Sequence, residues 1–189
     1  SGEVFVHRVK GNAAFPAKPL IVAAMNPCKC GFYPDRQRCQ CSVYQMQNYM
    51  SKISGPMMER MDLCVSIQRV PYDQMERCTL RMSSSQMYER ILGARDIQKR
   101  RFADSDIQYN SEMSPEQIQQ ICILDEETSE FLGKAYEKYH LSARSYQKVL
   151  KVARTISDLE GEEKIRMHHV TEALCYRFPG ESYGGTVWD

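Results

Sequence analysis

The stretch PLIVAAMNPCKC, residues 19–30, decides the fold class of the first third of the chain. Its residues 19–25 form a short, continuous apolar run, which is typical of a strand buried on both faces in a parallel sheet. Upstream, residues 4–9 alternate apolar and polar side chains, and Gly11-Asn12 offers a turn after which residues 13–17 can return as the second arm of a hairpin. The sequence therefore predicts an α/β first part with a hairpin and a buried parallel strand.

The rest of the chain is predicted to be mainly helical. After one more predicted strand at residues 63–70, no strand pattern follows, and capping residues mark the start of each helix. The predicted helices cover residues 42–53, 57–61, 83–102, 115–121, 125–138, 143–159 and 167–176. Strands followed by a run of helices indicate two units in one chain. We predict a first domain at residues 1–75, a linker at 76–82, a helical domain at 83–179 and a disordered tail at 180–189.

The composition limits the class of protein. A hydrophobic content of 42% is ordinary for a globular protein, and a net charge of +1 leaves any nucleic-acid-binding surface local. No apolar run approaches the ~18 residues that a membrane span needs, so we expect no membrane association. Four of the eight cysteines stand singly, as in reduced proteins, which predicts a cytoplasmic location. Because the chain opens at once on a strand, we expect it to be cut from a longer protein.

The other four cysteines form a candidate metal site. Cys28, Cys30, Cys39 and Cys41 follow the pattern C-x-C-x8-C-x-C across a short loop. Four thiolates are the ligand set of a structural zinc ion, because zinc accepts tetrahedral sulfur and leaves no open position for a water. Free surface thiols or a redox pair remain as alternatives, since the usual zinc knuckle is C-x-x-C. A bound zinc would rigidify a loop that is too short to build its own core.

Three polar residues stand where elements begin or end. Asn26 closes the predicted buried strand, at the sheet edge where α/β folds bind ligands. The alternative is that Asn26 is only a cap or turn residue before Pro27. Arg60 follows a short helix and is either a surface arginine or an arginine finger that stabilises phosphoryl charge. Arg144 lies in the first turn of a helix, where the dipole disfavours a cation, so it needs a carboxylate or a phosphate as partner.

The helix at residues 83–102 carries a local basic strip. Arg90, Arg95 and Arg101 are its candidates for DNA contact, with a solvated helix face as the alternative. His168 and His169 are predicted to be surface or capping residues. The chain contains no G-x-x-x-x-G-K-[ST] phosphate loop and no apolar run that ends in Asp-Glu, so alone it should not hydrolyse ATP.

Three motifs together carry a resemblance to a known family. FPAKPLIVAAMNPCKCG, SKISGPMMERMDL and LSARSYQKVLKVARTISDLEG, in this order and at these distances, resemble the carboxyl-terminal half of magnesium-chelatase-like AAA+ ATPases of the YifB/ComM type. Lys29 departs from the family's N-P-C-P-C-G. Met57, Met58, Glu59 and Met61 depart from its L-L-D-R-I-D, which leaves the arginine and a carboxylate before it in place. Tyr88 stands where the family usually has arginine.

The resemblance implies a fold and a set of roles. The fold would be the distal part of a P-loop NTPase core with a pre-sensor hairpin, followed by a helical-bundle lid. Asn26 would be sensor 1, Arg60 the arginine finger that reaches the neighbouring subunit's ATP, and Arg144 sensor 2. ATP and Mg²⁺ would be the cofactors of the full-length protein, whose phosphate loop would lie upstream.

The resemblance also implies a partner and a function. The expected function is that of an ATP-driven motor on DNA, a homo-hexameric helicase of branched DNA in natural transformation and recombination. One alternative is the ATPase subunit of a magnesium chelatase, against which the cysteine loop argues. The other alternative is a non-enzymatic, zinc-containing interaction module.

Overall fold

The computed structural model describes residues 2–9, 11–67, 72 and 82–177. By the contacts within the chain it divides into two units, Ser1–Lys52 and Ile53–Asp189. The predicted disordered tail, and all but residue 82 of the predicted linker, lie outside the described residues, so the predicted domain division stays a prediction.

The first unit contains the predicted hairpin. Strands β1 (Glu3–Arg8) and β2 (Gly11–Pro16) pair antiparallel, with Glu3 opposite Pro16 and Arg8 opposite Gly11. Gly11 has φ +147, a backbone conformation that favours glycine. The hairpin of the sequence prediction is therefore confirmed, although its second arm begins two residues and ends one residue earlier than predicted.

The predicted strand at residues 19–25 is wrong for this chain. These residues belong to no regular element, and Leu20 and Val22 are 91% and 86% exposed. Within the described part of the chain, β1 and β2 form a sheet of two strands only, so the apolar run has no ladder to join. A parallel strand depends on neighbours that are distant in sequence. The apolar run alone does not show whether those neighbours are present.

The helices follow the predicted capping signals closely. Ser42 opens α1 (Val43–Met50) with a complete capping box, in which its hydroxyl accepts from the backbone of Gln45 and the Gln45 side chain accepts from the backbone of Ser42. Capping boxes also open the helices that begin at Ser84 and Pro115. The remaining helices are α2 (Gly55–Arg60), α3 (Ser84–Arg101), α4 (Pro115–Ile121), α5 (Glu126–Lys138), α6 (Ala143–Glu160) and α7 (Met167–Arg177), with a 3₁₀ turn at Asn110–Glu112.

The predicted strand at residues 63–70 is also wrong over its described part, residues 63–67. This segment is irregular, and Val65 and Ile67 are 66% and 89% exposed. The backbone N–H of Cys64 donates to the carbonyl of Tyr176 at 2.7 Å, in the last turn of α7. The segment is thus bonded to a helix end rather than to a strand.

Helix α6 is the centre of the second unit. It contacts α3, α4, α7 and the 3₁₀ turn, and Gly161 at φ +73 ends it in the left-handed conformation. The buried apolar side chains of this core come from every helix from α4 to α7 and from the loops between them. They are Phe102, Met113, Ile118, Cys122, Leu132, Ala135, Leu141, Val149, Leu150, Ala153, Ile156, Ile165, Val170, Ala173 and Leu174.

A buried polar network crosses this core. Asp158 is fully buried and receives two hydrogen bonds from the Arg101 guanidinium, at 2.7 and 2.5 Å, and one from the Asn110 amide at 2.7 Å. Arg154 is 3% exposed, lies 3.2 Å from Asp158, and donates to the carbonyls of Glu162 and Glu163 beyond the end of α6. Arg154 therefore has a structural role.

The substitution Asp158→Ala should destabilise the chain strongly. It leaves Arg101 and Arg154 without their shared carboxylate, and breaking a buried pair in this way costs about 3–5 kcal/mol of unfolding free energy. Urea denaturation followed by circular dichroism measures the loss. Glu130→Ala is the matched control, because its partner Lys134 is 2.8 Å away but both side chains are exposed. That solvent-screened pair should contribute far less than the buried one. Equal losses in the two variants would contradict the role given to Asp158.

Candidate functional site

The four clustered cysteines come together in the first unit. The sulfur of Cys28 lies 3.3 Å from that of Cys30 and 3.8 Å from that of Cys39, and Cys30 and Cys39 are 3.6 Å apart. Cys41 completes the group, with all four sulfurs within 4.8 Å of one another. The predicted gathering of the cysteines is thus present, whereas the identity of a bound metal stays a prediction.

The spacing of the sulfurs fits tetrahedral zinc. Four sulfurs at Zn–S distances of about 2.3 Å lie about 3.8 Å apart along the edges of the tetrahedron. The separations among Cys28, Cys30 and Cys39 are 3.3–3.8 Å, much longer than the S–S bond of a disulfide, about 2.05 Å. All four cysteines are free thiols. The arrangement therefore favours a shared cation over the redox pair that the sequence left open.

The electrostatics of the cluster also favour a cation. Burial disfavours the Cys28 thiolate, but hydrogen bonds from the backbone of Tyr33 and the thiols of Cys30 and Cys39 outweigh it and lower the pKa of Cys28 to about 6. For Cys39, the backbone of Cys41 favours the thiolate, but burial and the thiols of Cys30 and Cys28 raise its pKa to about 11. One thiolate thus suppresses the ionisation of another. A divalent cation removes this conflict, because it binds all the thiolates together.

The loop around the cysteines is shaped by its own backbone bonds. The Asp35 carboxylate accepts from the backbone N–H groups of Gln37 and Arg38 at 3.1 and 3.3 Å, and the Asp35 carbonyl accepts from Cys39 at 2.7 Å. Gly31 has φ +80 and lies against the Asn26 side chain, where an added Cβ would meet the amide nitrogen at 3.4 Å. Asn26 itself is exposed and touches the cysteine loop directly.

The first unit has almost no other interior. Among the residues described between positions 2 and 52, only Cys28 and Cys39 are buried, with 0% and 6% of their surface exposed. The centre of this unit is therefore a cluster of sulfur atoms instead of an apolar core. A metal at this position would link the two ends of the loop where side-chain packing does not.

Arg60 lies in the second unit, at the last position of α2. Its side chain is exposed and donates a hydrogen bond at 2.7 Å to the carbonyl of Pro56, one turn earlier in the same helix. It makes no ion pair with the residues that the structure describes. The guanidinium is therefore available to an anion from outside the chain.

Arg144 is also exposed, in the first turn of α6. It forms neither a hydrogen bond nor an ion pair with any residue in the described ranges, so its predicted anionic partner is not found there. Lys148 lies one turn further along α6, on the same side of the helix. Its ammonium group donates to the carbonyls of Arg60 and Met61, at 2.5 and 3.2 Å. Arg60 and Arg144 therefore stand on neighbouring elements of one unit.

The three basic residues of α3 have different surroundings. Arg90 is exposed and reaches the carbonyl of Leu159 at 3.5 Å. Arg95 stacks on Tyr109, with its guanidinium carbon 3.8 Å from the ring centre. In contrast, Arg101 uses both terminal nitrogens for Asp158. A phosphate would have to compete with that buried carboxylate for Arg101.

The histidine pair at the start of α7 forms a second cluster that the sequence analysis did not predict. The Glu160 carboxylate lies 3.0 and 3.1 Å from the Nε2 atoms of His168 and His169, and these hydrogen bonds lower the pKa of Glu160. The backbone N–H of Arg166 donates to Nδ1 of His169 at 2.9 Å, so the neutral ring carries its proton on Nε2. That nitrogen has no lone pair for a metal. His169 is therefore a buried capping residue: the predicted capping role is confirmed, and exposure at the surface is wrong for it.

Comparison with known proteins agrees with the family suggested by the motifs. Residues 1–75 match the magnesium chelatase subunit ChlI, and residues 81–177 match the C-terminal domain of that subunit. The competence protein ComM of Haemophilus influenzae is 36% identical over 178 residues, which are 94% of this chain and 34% of ComM. The uncharacterized protein YifB of Escherichia coli is 32% identical, and that of Salmonella typhimurium 31%, each over 94% of this chain and 34% of the relative. The chain spans about a third of the length of these relatives.

These matches define the class of protein. The chain belongs to the magnesium-chelatase-like family of AAA+ ATPases, of the ComM and YifB type. Members of this family use a nucleotide and Mg²⁺. As regards the membrane, the described residues include no helix with the length and apolar character needed to cross one.

Proposed function

We propose that this chain completes the nucleotide site of a cytoplasmic, homo-hexameric motor that acts on DNA. In this proposal Arg60 is the arginine finger, Arg144 is sensor 2 and Asn26 is sensor 1. The observation that carries it is the state of Arg60 and Arg144, which are exposed cations without a carboxylate partner among the described residues. Arg101 and Arg154, in contrast, are paired with the buried carboxylate of Asp158.

Both arginines would act on the same phosphates. Lys148 joins the end of α2 to the first turns of α6, so one subunit presents Arg60 and Arg144 together. Two fixed guanidinium groups stabilise the charge that develops on a transferring phosphoryl group. We propose that they serve the ATP of the neighbouring subunit, which fits their lack of a carboxylate partner in the described part of the chain.

ATP with Mg²⁺ supplies the phosphoryl group and part of its charge neutralisation when bound. The residues of this chain fit a supporting role toward that nucleotide, because they offer cations and an amide but no phosphate loop. Asn26 would orient the attacking water. The chain alone is therefore expected to bind nucleotide weakly and to be inactive, and the complete protein is the one to assay.

A zinc ion in the cysteine loop would support Asn26. The Asn26 amide packs against Gly31, which lies between Cys30 and the rest of the loop. If the four thiolates hold a metal, the residue beside Asn26 is held in place by it. This gives the cysteine cluster a structural purpose next to the proposed sensor.

DNA contact is proposed for Arg90 and Arg95, while Arg101 holds α3 on α6 through Asp158. Branched DNA is then expected to stimulate ATP hydrolysis by the complete protein. The double substitution Arg90→Ala and Arg95→Ala should weaken DNA binding and lower the slope of log K against log salt by roughly 1 for each lost phosphate contact. Hydrolysis without DNA should be unchanged.

The control for this experiment is Lys134→Ala, which removes a charge that Glu130 already neutralises on α5. It should leave both the DNA affinity and the salt slope unchanged. A protein whose ATP hydrolysis ignores branched DNA would contradict the DNA motor. That result would favour the metal-chelatase type of ATPase.

A further inference from the structure

Helix α2, which carries Arg60, is not held in place by burial. It has six residues, none of them buried, and its capping residue Ser54 makes no side-chain hydrogen bond to it. Isolated helices of this length are unstable in water. The position of α2 must therefore be set by contacts with other parts of the chain.

Arg177, at the end of α7, makes one set of these contacts. Its Nη1 atom donates to the carbonyls of Met58 and Met61, at 3.2 and 2.7 Å. Its Nη2 atom donates to the hydroxyl of the buried Ser145 on α6, at 3.0 Å. One guanidinium thus connects α2 with two helices of the core.

Lys148 makes the other set. Its ammonium group bonds the carbonyls of Arg60 and Met61 and lies 2.8 Å from the Asp62 carboxylate. The Met58 carbonyl also accepts from the backbone N–H of Met61, whereas the carbonyls of Arg60 and Met61 lie at the end of α2 and just beyond it, where a helix leaves carbonyls unpaired. Two cations at this end also suit the helix dipole.

We propose that Lys148 and Arg177 are positioning residues for Arg60, a proposal that rests on the function given to Arg60 above. They hold the carbonyl end of α2, and thereby fix the position of the backbone that carries Arg60. Neither residue needs to touch the nucleotide. Through them, any movement of α6 and α7 is passed directly to Arg60.

The test measures kcat and KM for ATP hydrolysis by the complete protein. Lys148→Met and Arg177→Met should each lower kcat by roughly 10²-fold, as expected when a reacting group is misplaced by about 1 Å, with little change in KM. Both substitutions are then combined with Arg60→Ala. If they act through Arg60, they should cause no further loss in that background.

Lys151→Met is the matched control, because Lys151 lies on the same helix but donates to the carbonyl of Ser111 and not to α2. A loss in this control equal to that in Lys148→Met would overturn the proposal. So would a further loss in the Arg60→Ala background, which would show a general structural effect. If Lys148→Met and Arg177→Met keep a normal kcat while Arg60→Ala is inactive, the positioning role is overturned and the function proposed for Arg60 stands. Normal activity in Arg60→Ala would overturn the proposed function itself.

The substitution Arg177→Lys is a control for the possibility that Arg177→Met misfolds. It keeps the charge but offers a single nitrogen, so it should retain part of the activity lost in Arg177→Met while the melting temperature stays close to that of the wild type. If Arg177→Met does not fold, Arg177→Lys and Lys148→Met decide the question by the same comparison.

Discussion

Replacing Arg60 with alanine is expected to lower the rate of ATP hydrolysis by the complete protein by roughly 10³-fold or more. The guanidinium is exposed at the end of α2, and among the described residues it bonds only a carbonyl of its own helix. Its removal should therefore cost little stability. The loss should fall on the transition state, where a fixed arginine neutralises charge on the phosphoryl group. Phosphate release measured at saturating ATP gives the effect directly.

Arg100→Ala is a close control for this experiment. Arg100 is also exposed, and it donates to the carbonyl of Asp96, four residues earlier in its own helix, as Arg60 does to Pro56. Its loss should leave hydrolysis in the absence of DNA unchanged. If Arg60→Ala were as active as Arg100→Ala, Arg60 would be a surface arginine.

Removal of metal from the cysteine cluster should have the second large effect. We expect about one zinc ion per chain, which Cys28→Ser should abolish together with the ordered cysteine loop. In small zinc domains the metal contributes an apparent ~10–16 kcal/mol at neutral pH, an upper limit for this loop. The loop is expected to depend on a bound metal because Cys28 and Cys39 are the buried side chains of the described part of their unit. Elemental analysis and limited proteolysis after treatment with a chelator measure the two effects.

Cys175→Ser is the control for this prediction, since Cys175 is an exposed thiol on α7, outside the cluster. It should change neither the zinc content nor the protease sensitivity of the loop. Acid should release the metal, because protons compete for the thiolates as the pH falls. A chain that holds no zinc and keeps a protease-resistant loop would contradict the metal site.

The parts of the fold predicted correctly from sequence are those with local causes. Ser42, Ser83 and Ser114 each begin a helix by bonding to a residue three positions later, so the whole signal lies within four residues. The strands predicted at residues 19–25 and 63–70 rested on no comparable signal within a few residues. Strand formation depends on a partner, and an apolar run reads the same whether or not a partner is present.

The candidate sites divide in the same way. The cysteine cluster could be predicted because its four ligands lie within one short loop, and their spacing limits where the sulfurs can go. The contacts of Lys148 and Arg177 with α2 could not be predicted. They join residues 88 and 116 positions apart, and their acceptors are backbone carbonyls, which every residue type carries. The pairing of Arg101 and Arg154 with one carboxylate could not be predicted either, because the sequence does not distinguish Asp158 from other acidic residues on a helix.

The use of backbone carbonyls to hold α2 has a consequence for how this surface can evolve. Met58 and Met61 are held by their main-chain oxygens, so changes of side chain at these two positions can accumulate without loosening the helix. The side chains that these contacts require are those of Lys148 and Arg177, which lie in a different part of the chain. Sequence drift in the segment around Arg60 is thus compatible with an unchanged position of the backbone that carries Arg60, provided that the two distant cations persist.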